Sequence, residues 1–302
     1  MHDLILAPSL LRQLDRLRVA ASHRARHPGR GERPSRARGH AVEFADHRDY
    51  SPGDDFRHLD WNLYGRLDRL YVKRHEDERE NRLHIFLDAS ASMNFGSPSK
   101  FDLARRLAAG VTHVALASHD RVAIHPFPRP GPDVPDQASH HAVLGAPPGL
   151  RSTSLFFRHL SRLVPGGRAD WNLAIQQMAA PLRRGGIAMI LSDCLDPHGC
   201  LPALDALANR GLHVNLVQIL APEELEPATF GDLRLLDAET REHREITFPR
   251  QRLAAYRNTV ERYCQDLQSA CHRRGGRYLR VRSDAAPEDV LLRAMRRQRI
   301  LE

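Results

Sequence analysis

The chain is poor in lysine: Lys73 and Lys100 are its only two, although its basic residues number 45. Its formal charge of +8 therefore rests almost wholly on arginine, which is spread through every expected element. Nucleic-acid binding needs positive charge clustered along a phosphate track, so the basic balance by itself disfavours nucleic acid as a partner. The densest basic stretch, Arg24 to Arg38, is rich in glycine and proline and carries no aromatic that could stack on a base. It reads as a linker or surface strap. The alternative is a nucleic-acid-binding arm, which steep salt dependence would reveal.

Cysteine is also scarce. Cys194, Cys200, Cys264 and Cys271 form no C-x-x-C pair and no zinc-finger spacing, which argues against a disulfide framework or a zinc ribbon and fits reduced thiols. No apolar run approaches the roughly 20 residues that span a bilayer. The first residues lack a basic n-region, and Pro8, Arg12 and Asp15 break their apolar stretch. A soluble, cytoplasmic protein without membrane segments is expected. G-x-x-x-x-G-K-[ST], H-E-x-x-H and G-x-S-x-G are all missing, so P-loop ATPase, zincin and nucleophile-elbow chemistry have no support.

What is present centres on Leu83-His84-Ile85-Phe86-Leu87-Asp88-Ala89-Ser90-Ala91-Ser92. A buried strand ends there in D-x-S-x-S. Asp88, Ser90 and Ser92 supply three hard oxygens at alternate positions, the donor type that magnesium requires at roughly 2.0–2.1 Å. A strand end is also where open α/β sheets bind ligands. A βα loop that only turns the chain and caps the next helix is the plainer alternative. Asp193 follows a second apolar strand, Ile187 to Leu191, and would emerge at the same edge if the two strands are neighbours.

Along the chain, Leu10, Leu14 and Leu17 mark a first helix, and Leu103, Leu107, Val111 and Val114 a second. Strands are expected at 121–124, 187–191, 214–217 and 278–281, and helices at about 153–164, 170–183 and 252–273. Leu233 to Phe248 reads as a β-hairpin turning at Glu239-Thr240-Arg241. The alternation implies an α/β, mostly parallel sheet with helices on both faces. Residues 1–80 would hold the first helix, the arginine-rich linker and a segment packing on the core. Residues 81–302 would hold the sheet domain, with a hairpin and long-helix insertion at about 230–275.

That segment contains Arg48-Asp49-Tyr50-Ser51-Pro52-Gly53-Asp54-Asp55-Phe56-Arg57-His58-Leu59-Asp60-Trp61. Together with Asp88-Ala89-Ser90-Ala91-Ser92-Met93, Ser192-Asp193 and Gly231-Asp232-Leu233, it resembles the domain-of-unknown-function family 58, in which such a signature precedes a von Willebrand factor A-like, Rossmann-like domain. The resemblance implies a non-enzymatic adaptor that works with a MoxR-type AAA+ ATPase in chaperone-like assembly or maturation. It also implies a metal ion-dependent adhesion site: Asp88, Ser90, Ser92 and Asp193 around magnesium, manganese or calcium, with a partner carboxylate at the open position. The family's second-loop threonine is replaced by Ala169, so Asp170 or a residue of Ser152-Thr153-Ser154 would have to supply the missing oxygen. In the signature, Arg48, Tyr50, Asp54, Asp55, Arg57 and Trp61 read as a clasp of ion pairs and aromatics, or else as a partner-docking surface. The competing class is a metal-dependent hydrolase or phosphatase using Asp88. Phosphatases of the haloacid dehalogenase type carry a second aspartate two residues later, where this chain has Ser90.

Overall fold

The computed structural model describes residues 5–20, 44–50, 61–67, 69–75, 81–128, 142–168, 170–196 and 198–302. Two compact units emerge, residues 1–25 with 81–302, and residues 26–80.

In the smaller unit, strand β1 (Phe44–Asp49) pairs antiparallel with β2 (Tyr71–His75), and a short helix spans Trp61–Leu67. Arg48 lies in β1. Asp54, Asp55 and Arg57 fall outside the described residues, as does the arginine-rich stretch 24–38. Tyr50 is half-buried and its amide donates to Leu70 O at 2.9 Å. The expectation that Trp61 buries apolar area is corrected: the residue is 62% exposed, and its ring meets the edge of Tyr64 at 6.3 Å between centroids. Trp61→Ala is therefore expected to lower stability in urea by about 1 kcal/mol or less. A loss of about 3 kcal/mol or more would restore the core assignment.

The larger unit is built on six strands, β3 (Arg82–Asp88), β4 (Arg121–Phe127), β5 (Leu144–Ala146), β6 (Gly186–Ser192), β7 (Leu212–Leu220) and β10 (Arg277–Arg282). Two more strands, β8 (Gly231–Leu236) and β9 (His243–Phe248), form the separate hairpin. The sheet order is β10-β7-β6-β3-β4-β5, all parallel except the short edge strand β5. β5 lies within the segment from Pro126 to Gly149, whose many prolines and glycines gave no strand signal in the sequence. Central strands carry continuous apolar runs because both faces are covered. Leu83, Ile85 and Leu87 enter one core with the helix Lys100–Ala117, while Phe86, Ala188 and Ile190 enter the other with the helices Trp171–Ala179 and Leu201–Asn209.

The first helix, Pro8–Leu14, belongs to this unit and not with residues 26–80, which corrects the 1–80 grouping. Leu10 and Leu14 are fully buried in the first core, and Arg18 and Glu302 exchange backbone hydrogen bonds at 2.8 and 2.9 Å. The long helix Leu253–Arg273 ends where Gly275 takes φ +72°. Gly276 then passes so close to β7 that an added Cβ would lie 2.2 Å from Val214 O. Among the described residues no helix is long and apolar enough to cross a membrane.

Candidate functional site

β3 and β6 are adjacent and parallel, so Asp88 and Asp193 leave the sheet side by side at its carboxyl edge. The second loop is drawn to the same place: Gly166 N–H donates to Ala89 O at 2.7 Å, and Ala91 N–H donates to Gly167 O at 3.0 Å. Asp88, Ser90, Ser92, Arg168, Trp171 and Asp193 line a cavity of about 140 Å³ together with the hairpin turn Asp237 to Thr240.

Asp88 is held on three sides. Ser90 N–H donates to its Oδ1 at 2.9 Å, while Ser192 Oγ at 2.5 Å and Trp171 Nε1 at 3.2 Å donate to its Oδ2. Oδ2 thereby has two donors. Burial, and after it the nearby Asp193, pushes the Asp88 carboxyl up to about 6. The Ser90 and Ser92 hydroxyls lie 3.0 Å apart.

Asp193 has a partner the sequence did not announce. Lys100 Nζ, fully buried, sits 2.6 Å from Asp193 Oδ2 and 2.5 Å from Glu224 Oε1. Burial opposes the ammonium charge, but the two carboxylates outweigh it and hold the Lys100 pKa above its ordinary value. The other Asp193 oxygen accepts Leu195 N–H at 3.0 Å. One clue was available: Lys100 opens a helix, where a cation faces the positive end of the dipole and is disfavoured unless acids compensate it.

Two substitutes offered for the missing threonine take other roles. Asp170 caps the helix Trp171–Ala179 through Leu173 N–H at 2.9 Å and does not line the cavity. Ser152 Oγ donates to Pro147 O at 2.9 Å, away from the site. Ala169 itself falls outside the described residues. A further oxygen-bearing side chain comes from the hairpin: Glu239 lines the same cavity as Asp88, Ser90, Ser92 and Asp193. Burial, with repulsion from Asp88, Asp193 and Asp237, pushes Glu239 up to about 6. Sequence separation hid this convergence, since Glu239 lies 147 positions after Ser92.

All four cysteines are free and buried, and among the described residues no group of three or more His, Cys, Asp or Glu is arranged to hold a metal. Among the histidines, His84 Nδ1 and His125 Nε2 lie 3.1 Å apart within the sheet, where burial holds them down at about 4 and about 3.

Relatives carry little assigned function. Uncharacterized proteins of Mycobacterium tuberculosis and Mycobacterium bovis are each 31% identical over 214 residues, 69% of this chain and 64% of theirs, so the match spans less than two thirds of their length. Among solved structures, the conserved hypothetical protein BatB from Bacteroides thetaiotaomicron is similar with a TM-score of 0.40 and 16% identity, over 72% of this chain and 98% of that one. A von Willebrand factor type A structure from Catenulispora acidiphila has a TM-score of 0.40 and 12% identity, over 76% and 43%. The family model described as protein of unknown function DUF58 matches residues 46–266, and the chain belongs to that family.

Proposed function

We propose that this chain is a non-enzymatic interaction module that engages an acidic side chain of a partner through a hard cation at the Asp88 edge. In this reading it works with a MoxR-type AAA+ ATPase in chaperone-like assembly or maturation. The observation that carries it is the convergence of Asp88, Ser90, Ser92, Asp193 and Glu239 on one small cavity.

The donors fit such an ion. All are hard oxygens, and the 3.0 Å between the two serine hydroxyls is close to the edge of a magnesium octahedron, about 2.9 Å for ligands at about 2.0–2.1 Å. Ser90, Ser92 and Asp88 Oδ1 would hold magnesium, manganese or calcium. Asp193, already committed to Lys100, would add its charge or a water-mediated contact. The Asp88 and Glu239 carboxyls are raised first by burial and then by neighbouring carboxylates, and a cation would relieve that repulsion. Bound there, the ion would supply an electrostatic bridge to a carboxylate.

Cavity size favours a bridge over catalysis. About 140 Å³ suits an ion with one carboxylate, whereas small-molecule sites run to roughly 300–1,000 Å³. Co-purification with a MoxR-type ATPase from the same genome, in magnesium and in EDTA, tests the reading. Wild type is expected to retain the ATPase in magnesium and lose it in EDTA, and Asp88→Ala to fail in both. Binding indifferent to EDTA and to Asp88→Ala would sink the cation bridge. No binding at all would sink the partner assignment. Phosphate release from a generic phosphoester, abolished by Asp88→Asn, would replace the adaptor with the hydrolase.

A further inference from the structure

The five parallel strands of the larger unit all begin at one edge of the sheet, the edge opposite Asp88. Each is entered through arginine. Arg82 and Arg121 open β3 and β4 and stand opposite one another in register, and Arg277 opens β10. Arg183 and Arg184 lie just before β6, and Arg210 just before β7. Arginine that reads in the sequence as evenly spread is gathered by the topology onto one line.

The last helical stretch adds to the same edge. β10 ends at the carboxyl edge, and the chain then runs back along the helix Lys100–Ala117, where Leu291 packs so closely that a Cβ added to Gly110 would lie 2.5 Å from its Cδ1. Toward the end of that helix, which leads into β4, His113 Nε2 lies 2.8 Å from Asp15 Oδ1, shortly before the backbone pairing of Arg18 with Glu302. Arg293, Arg296, Arg297 and Arg299 line an open concavity of about 960 Å³, with Glu302 in its wall.

Part of this charge is structural. Arg210 Nη1 donates to Leu182 O at 3.2 Å, Arg274 pairs with Asp205 at 2.7 Å, and Arg293 pairs with Asp289 at 2.8 Å. Arg183, Arg184, Arg296, Arg297 and Arg299 are exposed and make no ion pair among the described residues. Arg277 Nη1 is buried and, among the described residues, has no hydrogen-bond partner. Opposing charge comes from Glu302, Asp15 and the buried Asp120, and in sequence from Glu76, Asp77, Glu78 and Glu80 just before Asn81.

We propose that this edge binds the phosphate backbone of duplex nucleic acid without reading its bases. Guanidinium forks pair bidentately with phosphate. From β10 to β4 the edge spans four inter-strand intervals, about 19 Å, over which one strand of a duplex presents about five phosphates. The segments that carry these arginines hold none of the large exposed apolar side chains. A protein interface has an apolar core and a bilayer-docked helix inserts apolar residues, whereas contacts to phosphate need neither. No exposed aromatic stands there to stack on a base, which selects the duplex over a single strand. The site is independent of the cation reading at the opposite edge.

Fluorescence anisotropy with a labelled DNA duplex of mixed sequence and about 20 base pairs, from about 50 to about 200 mM salt, tests the proposal. Wild type is expected to bind, with affinity falling steeply as salt rises. Arg296→Gln, Arg297→Gln and Arg299→Gln together should weaken binding by about ten-fold or more at low salt and lower the salt slope by about three. Arg183→Gln with Arg184→Gln should lower the slope by about two. A charge-matched control on the hairpin, Arg234→Gln with Arg241→Gln and Arg244→Gln, should keep most of the affinity. All these positions are exposed, so the variants are expected to fold. Equal losses in the control and the edge variants would overturn the proposal by assigning binding to net charge. So would duplex binding that is absent from wild type, or that emerges only once Glu76, Asp77, Glu78 and Glu80 are replaced by serine. Capture by phosphatidylglycerol vesicles under salt conditions that release the duplex would overturn it as well and reassign the edge to lipid headgroups.

Discussion

Lys100→Met is expected to destabilise the folded chain by about 3–5 kcal/mol, the cost of stranding buried charge when one member of a buried pair is removed. The ammonium is fully buried and neutralises Asp193 and Glu224 together. Methionine fills most of the same volume, so the loss would report on charge more than packing. Adding Asp193→Asn and Glu224→Gln to the variant should recover most of it, because the stranded charges are then gone. Acidification should shrink the deficit as well. Glu224, whose carboxyl burial already holds above its ordinary value, takes up a proton more readily in the folded variant than in the unfolded one, so the deficit shrinks as pH falls. Urea unfolding at two pH values measures both effects. A deficit below about 1 kcal/mol would mean that water reaches the triad and solvates it.

Trp171→Ala should cost about 3–5 kcal/mol, the range for emptying a large aromatic site in a core. Its ring is 1% exposed and lies edge-on to Phe127 at 5.2 Å, and its indole N–H reaches Asp88 Oδ2. Trp171→Phe separates the two contributions. It keeps most of the apolar contact and deletes only the N–H, leaving Asp88 with Ser192 and Ser90 as donors. That variant should lose about 1–3 kcal/mol. Equal losses for alanine and phenylalanine would assign the effect to the hydrogen bond, and a negligible loss for alanine would remove the ring from the core.

These two residues also separate what the sequence determines from what folding decides. Apolar runs bounded by turn residues reveal β3, β6 and β7, because a strand covered on both faces is hydrophobic along most of its length, while β10, at the sheet edge, shows as an alternation of apolar residues and arginine. The same local logic places Asp88, Ser90, Ser92 and Asp193 at strand ends, and the hairpin at 231–248. Period-3.6 spacing marks Leu10 and Leu14 as a helix face. It does not say which unit buries that face, since any apolar surface would serve. Trp61 shows the same limit from the other side, because a large aromatic within a motif has no local property that fixes its exposure.

Contacts across the chain settled the chemistry. Asp193 faces Lys100 across 93 positions, and Glu239 lines one cavity with Ser92, which precedes it by 147. Neither pair has a sequence period, because loops that converge on a sheet edge are placed by the strand order and not by their spacing. The sequence by itself determined the buried central strands and the oxygen-bearing residues at their ends. The tertiary structure alone decided that a buried ammonium neutralises one aspartate and that the chain's own hairpin delivers a further carboxylate, since burial and proximity set charge and neither exists before the sheet is assembled.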